Sequence, residues 1–182
     1  MVWSTICTIL LLSVIASEGD LIYDGGWSGD AGATDFEAPV DRIAAFAQPP
    51  ETPSDEDFVD RVNRMTVSSV DGAPRFFPVG LDATLAYGVG DCTDLALLRT
   101  EILRRNGIAA RPVHGIMIWD TKTFRTNALH VTIFGKGIAV HDWVELEDGR
   151  TMGAYEGVPG IRCIKTGNGV CLQPVFKVMG YL

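Results

Sequence analysis

An α+β domain with an antiparallel sheet is predicted by three features of this 182-residue chain. Apolar residues at helical spacing mark the first half, and from Ile108 onward the pattern changes to β-rich runs broken by Gly and Asn. Helices first and strands afterwards favour helices packed on one antiparallel sheet. The helix opening at Cys92 is apolar round much of its circumference, so it is expected to be buried against that sheet.

The elements follow in order. Val2 to Ala16 is uncharged and apolar, too short to span a bilayer, which takes about 20 residues. It fits a secretory signal over residues 1–16, although Met1-Val2-Trp3 carries no Lys or Arg. A buried first element or a short anchor is the alternative. Residues 17–80 form an expected helical and loop region, and 81–182 the core with a C-terminal hairpin. Ser17 to Thr34 reads as an irregular lead-in. Pro39 can open a helix with Val40, Ile43 and Ala47 on one face, ended by Pro49-Pro50 and Pro53. Ser54 precedes three acidic residues, which suit a helix start, and Phe58, Val62 and Met65 form the stripe of that helix. Asp71 to Gly80 is a loop or edge segment. After Cys92, Leu95, Leu98 and Ile102 line the buried helix, and Asn106-Gly107 stops it. Strands are expected at Ile108–Trp119, Ala128–Phe134 and Ile138–Leu146. A last hairpin centred near Gly167 sets Cys163 opposite Cys171, at a separation a disulfide can bridge. Gly153 to Gly160 reads as a loop at the edge of a cleft.

A hydrophobic content of 47% suits a folded globular chain, and a net charge of -8 argues against a nucleic-acid partner. Cys7 lies in the signal stretch, and pairing of Cys163 with Cys171 leaves Cys92 free, as a catalytic thiol must be. Three free cysteines in a reducing compartment are the other possibility.

Cys92 follows Gly88-Val89-Gly90-Asp91 and heads a buried helix. Unpaired N–H groups and partial positive charge at a helix start favour thiolate over thiol and can receive an oxyanion. A thiol nucleophile also needs a base and a group to orient that base. If Gly135-Lys136-Gly137 is a three-residue hairpin loop, Thr132 pairs with Val140 and His130 with Asp142. Directly opposed residues share a face, with Cβ atoms about 4.5–5.5 Å apart. His141 then points to the other face and packs, and a one-residue change of register exchanges the two histidines. His114 receives no role.

The run Gly88-Val89-Gly90-Asp91-Cys92-Thr93-Asp94-Leu95-Ala96, with Leu103-Arg104-Arg105-Asn106-Gly107-Ile108-Ala109-Ala110-Arg111, resembles the core motif of the transglutaminase-like superfamily. The likeness covers Asp82 to Trp143. It implies a papain-like fold whose central helix bears the nucleophile, and a catalytic triad of Cys92, His130 and Asp142. The family's H-x-W-V-E string is imitated by His141-Asp142-Trp143-Val144-Glu145, but no Asp follows His141 at a suitable distance. Asp148 lies in a turn, so His130 and Asp142 are preferred. The resemblance implies attack of a Cys92 thiolate on an amide carbonyl and hydrolysis of peptide or isopeptide bonds. Protein crosslinking, or a non-catalytic binding module that keeps the fold, are the alternatives. The expected partner is a peptide or protein substrate outside the cytoplasm, with no stable membrane insertion after signal removal, no cofactor and no metal.

Overall fold

The structure, a computed structural model, describes residues 55–72, 81–126 and 130–170. The signal stretch, the helix expected at 39–47 and Cys171 lie outside the described residues. No helix among the described residues is long and apolar enough to cross a membrane.

Helix α1 (Asp55–Ser69) buries Phe58, Val59 and Val62. It leads into a two-residue strand β1 (Asp71–Gly72). Helix α2 (Leu81–Tyr87), not anticipated from sequence, precedes β2 (Val89–Gly90), which pairs in parallel with β1. Helix α3 (Cys92–Arg105) follows at once. Its start is defined by a reciprocal cap. Asp91 Oδ1 accepts from Thr93 N at 2.9 Å and Asp94 N at 3.1 Å, while Asp94 Oδ2 accepts from Asp91 N at 3.0 Å. Gly107, at a φ of 75°, ends the helix in the left-handed conformation expected of its Asn-Gly stop.

Five antiparallel strands follow: β3 (Ala110–Asp120), β4 (Val131–Ile133), β5 (Lys136–Leu146), β6 (Thr151–Met152) and β7 (Ile161–Asn168). The order is β4-β5-β3-β7, with β6 also paired to β5. β4 meets β5 at residues 136–138 and β6 meets it at 144–145. Successive strand residues face opposite ways, so the sheet has two distinct sides. On one, Ala110, Val144 and Leu146 join Leu97, Leu98, Ile102 and Leu103 of α3 and the α1 residues in the main core. Burying each of those helix side chains contributes roughly 2 kcal/mol. On the other side, Val113 packs with Trp143 and Ala154, and Met117 with Trp119 and Ala139.

Two expectations are corrected. The β4–β5 turn is the two residues Phe134-Gly135, at φ 48° and 76°, and not a three-residue loop. It pairs Ile133 with Lys136, Thr132 with Gly137 and Val131 with Ile138. Thr121 pins it, donating from N at 3.1 Å and from Oγ1 at 2.9 Å to the Gly135 carbonyl. Gly137 belongs to the strand because the Trp119 ring occupies the space a Cβ would need. The second correction concerns the last hairpin. β7 runs unbroken through Gly167, which pairs with His114, and Cys163 is a free thiol opposite Met117. No chain reversal at Gly167 therefore brings a partner across from Cys163.

Candidate active site

Cys92 is the first residue of α3 and carries a half-buried thiol outside any disulfide. The cap that fixes the helix start also occupies donors: the Thr93 and Asp94 N–H groups, expected to face an oxyanion, bond to Asp91. What the helix start keeps for an anion at Cys92 is its partial positive charge.

The structure does not set His130 directly opposite Asp142, as the three-residue loop would have. With Val131 opposite Ile138, extension of the ladder sets His130 against Ala139, three residues along β5 from Asp142. At strand rise that is about 10 Å. The odd shift also turns the two residues to opposite sides of the sheet. The His130 ring lies edge-on to Trp119, with centroids 4.8 Å apart. Asp142 instead faces α3. Its Oδ2 accepts from Thr93 Oγ1 at 2.6 Å, and its Oδ1 accepts from His114 Nδ1 at 2.7 Å, since β3–β5 pairing sets His114 directly opposite. All three residues are buried.

A second histidine immediately precedes Asp142 on β5. His141 is buried on β5, and its Nε2 lies 2.8 Å from the Gly153 carbonyl. A carbonyl only accepts, so Nε2 carries the proton and Nδ1 of the neutral ring carries the lone pair. The ring stacks on Trp143 with centroids 6.0 Å apart and tilts against Tyr155 at 5.6 Å. Burial lowers the His141 pKa. The Gly153 carbonyl and Asp142 partly oppose this, and Arg99 and then His114 add to it. The imidazole is held neutral.

Tyr155 packs against the His141 ring. Its phenol pKa is raised by burial first and then by Cys92, with Arg99 opposing and Cys163 adding. Arg99 lies seven residues beyond Cys92, two turns along the same side of α3. Its Nε donates to Thr66 Oγ1 at 2.9 Å, and burial lowers its pKa to about 10. Gly153 sits against this guanidinium: a Cβ there would come within 2.8 Å of Arg99 Nη1, and the φ of 92° also suits glycine. His141 and Arg99 therefore both touch Gly153, and Tyr155 packs on His141. At Cys163, burial and then Glu156 push the thiol up to about 11. Among the described residues, no group of three or more His, Cys, Asp or Glu is placed to hold a metal ion.

The H-x-W-V-E string was the sequence signal for His141, outweighed by the lack of a following carboxylate. A backbone carbonyl takes the orienting position, and a carbonyl leaves no mark in a sequence. Tyr155 had no motif to announce it either.

The sequence model of the transglutaminase-like superfamily matches residues 41–151, a span that includes Cys92, His114, His130 and His141. Neither a curated protein nor a solved structure matches the chain.

Proposed function

From the premise that this chain belongs to the transglutaminase-like superfamily, we propose that it is a cysteine-dependent acyl-transfer enzyme, with Cys92 as nucleophile and His141 as base. The observation that carries the reading is the Nε2–H bond from His141 to the Gly153 carbonyl. It fixes the tautomer and leaves Nδ1 as the proton acceptor, the service an aspartate or asparagine gives in a triad. A neutral carbonyl stabilises an imidazolium less than a carboxylate does, and burial outweighs it, so the His141 pKa is lowered.

In the reaction, Nδ1 of His141 takes the Cys92 proton and the thiolate attacks the carbonyl carbon of an amide. The tetrahedral oxyanion forms in the positive field of the α3 start. His141 returns the proton to the leaving amine as the C–N bond breaks, giving a thioester and an imidazole ready for a second cycle. Water then gives up a proton to Nδ1, attacks the thioester and releases the acid and the Cys92 thiol. Hydrolysis is preferred to transfer onto an amine because water needs no second binding site in a small domain. The substrate on this reading is a peptide or protein met outside the cytoplasm, as the apolar stretch Val2 to Ala16 suggests.

The test is alkylation by iodoacetamide near neutral pH, mapped to individual cysteines. Rapid modification of Cys92 is expected, slowed on the order of 100-fold by His141→Ala, the scale on which a positioned base acts. His130→Ala should leave the rate unchanged. The reverse result, with His130→Ala slow and His141→Ala fast, would return the base to the residue the hairpin pattern first suggested. Equal rates in all three proteins would favour a binding module that retains the fold without catalysis. A primary amine supplied with an acyl donor separates crosslinking from hydrolysis by which product forms faster.

A further inference from the structure

Three arginines, Arg105, Arg111 and Arg150, each pair with a carboxylate, that of Glu101, Glu145 and Asp148 in turn. Arg99 is buried more deeply than any of them, at 5% exposure, yet among the described residues no carboxylate lies within ion-pair reach of it. Its Nε donates to Thr66 Oγ1, a neutral oxygen, at 2.9 Å, while Nη1 and Nη2 make no hydrogen bond to the described residues. Nor are these two groups sealed in. Among the described residues, Arg61 Nη2 is the one wholly enclosed side-chain nitrogen or oxygen that lacks a partner, so the Arg99 Nη groups touch solvent. A desolvated guanidinium without a counter-charge is unfavourable, and burial accordingly lowers the Arg99 pKa to about 10. For packing alone, an apolar side chain of similar volume serves as well or better.

We infer that the Arg99 guanidinium is an anion site that binds a carboxylate of the substrate. That this carboxylate belongs to an amide to be cleaved rests on the reading of Cys92 and His141 as nucleophile and base; the anion site itself does not. With Nε spent on Thr66, the two Nη groups remain as a planar fork that matches a carboxylate. Nη1 lies against Gly153, where a Cβ would come within 2.8 Å of it. The carbonyl of that same glycine accepts from His141 Nε2, so a single residue stands between guanidinium and imidazole. Tyr155, 40% exposed, packs on His141 and lies within electrostatic reach of Arg99, since each shifts the pKa of the other. The substrate class is therefore an amide with a free carboxylate, either the α-carboxylate of a chain terminus or the side chain of an acidic residue. Charge-assisted bonds to such a group favour the acid over its neutral amide by about tenfold or more.

Binding to the full chain is measured by calorimetry near neutral pH with three probes. N-acetyldialanine has a free α-carboxylate, its C-terminal amide has none, and N-acetylglutamate α-amide carries its carboxylate on the side chain. The wild type is expected to bind one of the two acids about tenfold or more tighter than the neutral amide, and the acid it prefers identifies the source. The preference should vanish in Arg99→Gln and survive in part in Arg99→Lys, which keeps the charge but not the fork. Equal affinity of the wild type for all three probes, or a preference that persists in Arg99→Gln, overturns the inference and leaves Arg99 a structural cation. If Arg99→Gln does not fold, Thr66→Val, which frees Nε, decides: weaker binding of the acid alone supports the site, and an unchanged preference overturns it. Alkylation of Cys92 by iodoacetamide is followed in parallel without probe. Should Arg99→Gln slow it as much as His141→Ala does, the guanidinium serves the thiolate and not a substrate carboxylate, and the inference falls while the catalytic pair stands. Should His141→Ala react as fast as wild type while the acid preference holds, the catalytic reading falls and the anion site stands.

Discussion

Phe134 holds a φ of 48° while its side chain stands wholly in solvent, so no packing offsets the left-handed backbone. That conformation is unfavourable for a residue with a bulky Cβ substituent, and Asn-Gly is the preferred pair for this kind of turn. Phe134→Asn is expected to stabilise the protein by about 1 kcal/mol, read as a higher urea midpoint with an unchanged denaturant slope. The same turn explains what sequence reading misjudged. Gly135 and Gly137 flank Lys136 and read as one loop, yet only Gly135 turns the chain. That reading set Asp142 against His130, whereas the strand ladder sets it against His114. Cys92, by contrast, was legible as a candidate nucleophile because its helix start, preceding glycines and buried run all lie within about fifteen residues of sequence. His141 was legible only as a string, since the group that orients it is main chain.

At the scale of elements, helix α3 was readable from both ends. Asp91 and Asp94 lie at capping-box spacing, and Asn106-Gly107 forms the stop. The short helix α2 was not, because seven residues show less than two full periods of any pattern. β7 was mistaken for a hairpin because Gly167-Asn168-Gly169 is strong turn chemistry, yet long-range pairing with β3 keeps Gly167 and Asn168 extended. Pairing of β5 with β3 depends on a tight fit at Gly137, beneath the ring of Trp119. Gly137→Ala must push that ring aside, and a loss of about 1–3 kcal/mol in urea unfolding is expected. It should fall on the hairpin that carries His141, so a loss of Cys92 alkylation rate beyond the change in stability would locate the damage there.

For the molecule as a whole, the two sides of the sheet serve different purposes. One holds the helices and most of the apolar core, and the other holds the aromatic residues around His141. Burying a neutral histidine has a global consequence. Its folded pKa lies below 6.5, the unfolded value, so the unfolded chain binds more protons at mildly acid pH. The stability it supports is complete above about pH 6.5 and is lost as pH falls from there through the folded value. At Glu145, burial would raise the pKa, but hydrogen bonds and charge from Lys165 and Arg111 outweigh it and leave it lowered. Its contribution is therefore present above its ordinary value of 4.5 and disappears only at lower pH. Urea midpoints measured between pH 7 and about pH 5 should decline in the wild type, and the His141→Gln variant should decline less. Parallel curves for the two proteins would mean that His141 is not the titrating group.

Two of the four tryptophans in the chain, Trp119 and Trp143, lie almost fully buried, with their indole rings over the backbones of Gly137 and Gly115. Indoles shielded in this way emit at shorter wavelength than indoles in water. The sheet thus carries its own optical probe: a red shift in fluorescence would report separation of its central strands without any attached dye.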